Sequence, residues 1–174
     1  VRIPDATGTL VPLVSSEEVL FTASREAERM DVPVLAWGAL FVGSVVALLL
    51  YAIGYRTPGR AGALLVSVGW SGVAGLFGLL LFLLWTVTQH VAAHANQNLF
   101  FIHPLWLAVA MLIPFVRAAR RWRSAVLALV RACALLTIVG ALLALTPWGQ
   151  PSREIAAFAT PVNLVVYLLV LRVV

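Results

Sequence analysis

"VPVLAWGALFVGSVVALLLYAIGY", residues 32–55, runs for twenty-four positions without an acidic, basic or amide side chain. A helix rising ~1.5 Å per residue needs ~20 residues to cross the ~30 Å hydrocarbon layer of a bilayer, so this stretch is long enough to span one. Pro33 suits a first helical turn, and Trp37, Tyr51 and Tyr55 lie towards the two ends, where aromatic rings favour the membrane–water interface.

Working outward, "RTPGR" turns the chain and a second apolar run follows at about 61–88, with further runs at about 99–116, 124–145 and 155–174. The sequence therefore predicts an all-α, polytopic transmembrane helical bundle of about five spans, with a short extracytoplasmic segment at the N-terminus. The composition agrees. With 174 residues, 62% of them hydrophobic and 11% charged, the chain has too little polar surface to cover a water-soluble globule.

Two regions follow, a polar extracytoplasmic segment or linker at 1–31 and a membrane domain at 32–174. The first carries Asp5, Glu17, Glu18, Glu26, Glu28 and Asp31 against Arg2, Arg25 and Arg29. Its stretch "SSEEVLFTASREAERM" opens with a serine ahead of two glutamates, a cap pattern that predicts a short helix. The chain starts at Val1 with no basic-then-apolar leader, which we read as a piece of a longer protein.

The formal charge of +5 comes from arginines in short connections between apolar runs, not on one face of a soluble domain, so nucleic acid is not an expected partner. Arg56, Arg60, Arg172 and the basic loop with Arg117, Arg120, Arg121 and Arg123 fall on one side of the expected topology. Positive charge near span ends resists translocation, so that side is expected to be cytoplasmic, with the N-terminus outside and the C-terminus inside a bacterial inner membrane. Arg131, inside the fourth run, is expected to snorkel towards the same headgroups. Cys133 sits in an apolar run and reads as a buried inert thiol, which excludes an intrachain disulfide. Small residues recur every fourth position at Ala39, Gly43 and Ala47 and at Ser67, Ser71 and Gly75, predicting close helix contacts.

The polar exception is "TQHVAAHANQNLFFIHPLW", residues 88–106. His90 and His94 would share a helix face at a spacing used by metal sites, with His103 as a third ligand if the chain folds back. No Asp or Glu lies between Asp31 and Glu154 to orient an imidazole, and no activated nucleophile is near, so neither a metal nor self-contained catalysis is expected. Thr88, His90, His94, Asn96, Asn98, His103 and Pro104 read instead as a structural polar motif, a clasp that hydrogen-bonds backbone groups freed where a helix ends at the membrane edge. No cofactor is required by the sequence; contact with a lipid, a quinone or a pigment stays open.

Thr88, His90, Asn96, Asn98, Leu99, Pro104 and Leu105 resemble the "H, five residues, N-x-N-L, then P-L" signature between two spans of a bacterial domain-of-unknown-function family. That family includes the Lnb-type lipoprotein N-acyltransferases. "IPDATGTLVPLVSSEEVLFTA" is similar to the family's linker into its membrane spans, and "NLVVYLLVLR" to its last span. The resemblance implies an inner-membrane protein whose acyl-transfer chemistry resides in an extracytoplasmic domain preceding residue 1. It carries His90, Asn96 and Asn98 over without a defined role. Two functions are thus expected. One is a non-catalytic anchoring or accessory subunit packed against other membrane proteins in a larger complex, with photosynthetic and respiratory assemblies as hosts. The other is the membrane half of a lipid-using acyltransferase.

Overall fold

The computed structural model describes residues 2–4, 7–12, 33–87, 96–146 and 153–174. The short helix expected within residues 15–30, and Thr88, His90 and His94, lie outside the described residues. The chain divides into two compact units, Val1–Asp31 and Val32–Val174.

In the first unit, strands β1 (Arg2–Pro4) and β2 (Leu10–Pro12) pair antiparallel with Ile3 opposite Val11. The turn between them uses Gly8 at φ +83°, a left-handed conformation that costs glycine nothing. This small hairpin was not anticipated from the sequence.

The second unit is helical. Its elements are α1 (Pro33–Arg56), α2 (Ala61–Val87), α3 (Leu105–Leu112), α4 (Arg120–Ala144) and α5 (Arg153–Val173). Short 3-10 turns at Gln97–Phe100 and Ile113–Phe115 flank α3. Together they make a broken third span, Gln97–Phe115, so five segments among the described residues are long and apolar enough to cross a membrane. The break has a chemical cause. Pro104 and Pro114 lack the N–H that would continue an α-helical ladder, and both sit at the ends of α3.

The expected basic loop is shorter than the sequence suggested. Arg117 lies in the connection, but Arg120, Arg121 and Arg123 already belong to the first turn of α4. Arginine is a good helix former and nothing between residues 120 and 124 breaks a helix, so the apolar run is prolonged backwards through its basic flank.

α5 is the most deeply packed element. Its Val166, Leu169, Val170 and Val173 are buried with Trp106 and Val109 of α3, Ile113 of the following 3-10 turn, Val126, Val130 and Cys133 of α4, and Ala63 and Val66 of α2. The small-residue positions face inward. Gly43 and Ala47 are buried on α1, as are Ser67, Ser71 and Gly75 on α2. At Gly43 the α1 backbone rides directly on the Phe158 carbonyl of α5. By contrast Val34, Trp37, Phe41 and Leu48 of α1, Leu65 and Phe77 of α2 and Leu135 and Leu142 of α4 are exposed, the apolar exterior a bilayer demands. Arg131 is exposed on α4, the placement a snorkelling cation requires.

The antiparallel course gathers Arg56, Arg60, Arg117, Arg120, Arg121, Arg123 and Arg172 at one end, while Arg153 opens α5 at the other. Arg172 near the end of α5 donates from Nη1 to the Gly54 carbonyl at 3.0 Å and from Nη2 to the Gly59 carbonyl at 3.2 Å. Its guanidinium stands 4.3 Å over the Tyr55 ring, which itself stacks on Tyr51. Arg60 donates to the Val173 carbonyl at 3.2 Å. The α1–α2 turn, where Gly59 adopts φ +71°, is thereby fastened to the end of α5.

Candidate functional site

At the opposite end, residues 96–105 form a turn built by side chains that replace missing helix partners. The Asn96 side chain accepts the Asn98 N–H at 3.0 Å and caps the first 3-10 turn, while the Asn98 carbonyl accepts the N–H groups of Phe101 and Ile102 at 3.0 Å each. His103 Nδ1 accepts the Leu105 N–H at 3.2 Å, and the His103 and Pro104 carbonyls receive the Trp106 and Leu107 N–H groups. Since Nδ1 accepts, the neutral ring carries its proton on Nε2. His103 thus works as a cap for α3.

One buried amide ties this turn to the bundle. Asn163 of α5, fully buried, donates from Nδ2 to the Phe101 carbonyl at 2.9 Å and to Thr137 Oγ1 of α4 at 3.0 Å. Its Oδ1 accepts Trp70 Nε1–H of α2 at 2.9 Å. The Phe101 carbonyl takes a second bond from Trp106 Nε1 at 3.2 Å, and the Thr137 hydroxyl donates to the Cys133 carbonyl at 2.9 Å. A carboxamide has two N–H donors and one strong acceptor, and here all three are used. In hydrocarbon the alternative is an unsatisfied polar group, so the hub links α2, α3, α4, α5 and the turn.

Glycines admit the turn to its seat. A Cβ on Gly140 of α4 would fall 2.5 Å from Phe100 Cβ and 3.0 Å from Phe101 Cζ. A Cβ on Gly78 of α2 would meet the Ile102 carbonyl oxygen. Phe101 then closes a small cluster with Ala144, Ala156 and Ala159.

The structure brings Asn96, Asn98, His103 and Pro104 of the sequence motif into this one turn. Arg117, Arg120, Arg121 and Arg123 lie at the other end. Among the described residues no group of His, Cys, Asp and Glu is arranged to hold a metal, and Glu154, exposed in the first turn of α5, is the one carboxylate side chain. Asn98 Oδ1 is buried without a hydrogen-bond partner among the described residues, as are the hydroxyls of Ser67 and Ser71.

Sequence reading did not find Asn163, Trp70, Thr137 or Trp106. A signal existed. Asn163 is the one amide in the run 155–174, and an intramembrane polar residue is costly enough to need a reason.

A family model described as the Lnb transmembrane domain matches residues 26–174. No curated protein and no solved structure matches the chain.

Proposed function

The chain belongs to the Lnb transmembrane-domain family, and from that premise we propose that it is the membrane-embedded scaffold of a lipid-using acyltransferase of the bacterial inner membrane. In this reading it performs no bond chemistry itself. It anchors the polar segment 1–31 and holds the turn 96–105 rigid at the outer leaflet, where a lipid substrate and partner proteins would approach. The observation that carries the reading is the use of the motif's polar groups. Asn96 and His103 cap backbone N–H groups, and Asn163 gives one N–H to the Phe101 carbonyl while its other two bonds tie it to Thr137 and Trp70.

Substitutions that keep or remove the capping acceptor test it. His103→Asn and Asn96→Asp keep a side-chain acceptor able to cap, and are expected to retain at least about half of lipoprotein N-acylation in cells that depend on the protein. His103→Ala and Asn96→Ala should lose activity in step with folded protein. Abolition of activity by His103→Asn, with the folded amount unchanged, would instead make the imidazole part of the chemistry.

Orientation belongs to the same reading. With the arginines of one end in the cytoplasm, the turn faces outside. In a Cys133→Ala background, Gln97→Cys should react with a membrane-impermeant thiol reagent in intact spheroplasts and Ala119→Cys should not. Labelling at 119 alone inverts the topology and removes the outer-leaflet role.

A further inference from the structure

The arginine-rich end holds a cleft of about 490 Å³ between the start of α2, the 3-10 turn after α3 and the end of α5. Its mouth carries Arg60 and Arg117, both exposed, and its wall is apolar, with half-buried Leu64, exposed Pro114 and buried Ile113 and Val116. Neither guanidinium faces an acidic side chain among the described residues, because Glu154 stands at the other end of the bundle. Arg60 commits one nitrogen to the Val173 carbonyl and keeps its remaining donors. The first turn of α2 also opens here with no acidic residue to satisfy its N–H groups, which adds partial positive charge.

We propose that this cleft binds an anionic glycerophospholipid of the surrounding leaflet. Its phosphate sits between Arg60 and Arg117, and the upper part of an acyl chain lies against Leu64 and Pro114. Two cations over an apolar wall, at the depth where the helices leave the hydrocarbon, match a molecule with one anionic head and a greasy stem. A soluble anion would use the mouth and leave the wall wet. A zwitterionic lipid would bring its own ammonium towards the two arginines. The inference does not depend on acyl transfer or on which leaflet the arginines face, so its outcome is separate from that of the function proposed above.

The test is native mass spectrometry of the purified chain with phosphatidylglycerol, with phosphatidylethanolamine and with inorganic phosphate. Two arginines near a headgroup should favour the phosphatidylglycerol adduct by on the order of tenfold over phosphatidylethanolamine. Arg117→Gln removes one cation, and Ala61→Trp fills the mouth from an exposed helix-start position without changing charge; each should abolish the preference. Arg121→Gln, an equal charge change on a side chain that lies 5.1 Å from the Trp122 ring, should keep it. The proposal is overturned if Arg121→Gln loses the preference equally, if Arg117→Gln and Ala61→Trp both keep it, or if inorganic phosphate displaces the lipid.

Discussion

Gly75→Ala is expected to leave little folded protein. A Cβ at this position would collide with the Leu107 backbone N and lie 2.6 Å from Leu107 Cα and 2.7 Å from its Cβ. The first two are main-chain atoms in the first turn of α3, and that turn cannot retreat freely. Two residues before it the chain is capped by His103, and the preceding Phe101 carbonyl is held by Asn163 and Trp106. Relief must come from separating α2 and α3, which forfeits van der Waals contact along both helices, the main force between helices where lipid removes the hydrophobic incentive. We expect a loss of at least ~3 kcal/mol, the upper range for overpacking, and more for Gly75→Val. Gly69→Ala and Gly72→Ala are the controls. No atom lies within 4 Å of a Cβ added at either, so they should be neutral or gain up to ~1 kcal/mol of helix propensity. Thermal unfolding and monodispersity in mild detergent measure the contrast. Wild-type behaviour of Gly75→Ala would show that α2 and α3 do not touch as described.

The same pair of helices shows what the sequence made legible. The bilayer imposes a length on every span, so five apolar runs could be read as five crossings from their length and composition, but the break in the third, at Pro104 and Pro114, was not anticipated. The four-residue spacing of Ser67, Ser71 and Gly75 gave the packing face of α2, because small residues are tolerated wherever backbones meet. It could not give the partner. Gly75 meets α3 and Gly43 meets α5, and nothing in either local pattern distinguishes the two. The start of α4 was placed too late because charge reads as a loop in a hydropathy profile, whereas a helix can run on through its arginines. For the candidate site, polar groups beside a helix end were legible at residues 96–105, but not which of them cap: Asn96 and His103 accept backbone N–H groups, whereas Asn98 Oδ1 has no partner among the described residues. The hub was not, since Asn163 lies 62 residues from Phe101, 93 from Trp70 and 26 from Thr137, and a linear pattern carries no record of such meetings.

Asn163→Ala is expected to destabilise the bundle by ~2–4 kcal/mol. Three hydrogen bonds disappear, each worth ~0.6 kcal/mol on average between membrane helices and up to ~1.7, and the vacated volume at a fully buried position adds a cavity cost. Asn163→Leu separates the two contributions. It refills most of the space but leaves Trp70 Nε1–H facing hydrocarbon, a burial penalty of ~1–3 kcal/mol. Trp70→Phe removes that stranded donor, so the double variant Asn163→Leu, Trp70→Phe should be more stable than the sum of the single effects predicts, with a coupling of at least ~0.5 kcal/mol. Thr137 and the Phe101 carbonyl limit the recovery. Thr137 still bonds the Cys133 carbonyl and Phe101 still receives Trp106 Nε1, so neither is orphaned, but the link from the turn to α5 is gone. Amide hydrogen exchange should therefore rise first at residues 97–105 in Asn163→Leu, ahead of any global unfolding, while the arginine end, fastened separately by Arg172 to the Gly54 and Gly59 carbonyls, keeps its protection. Unchanged protection of the turn in both Asn163 variants, or strict additivity with Trp70→Phe, would mean that the amide does not hold the turn and that the rigidity on which the scaffold reading depends has another source.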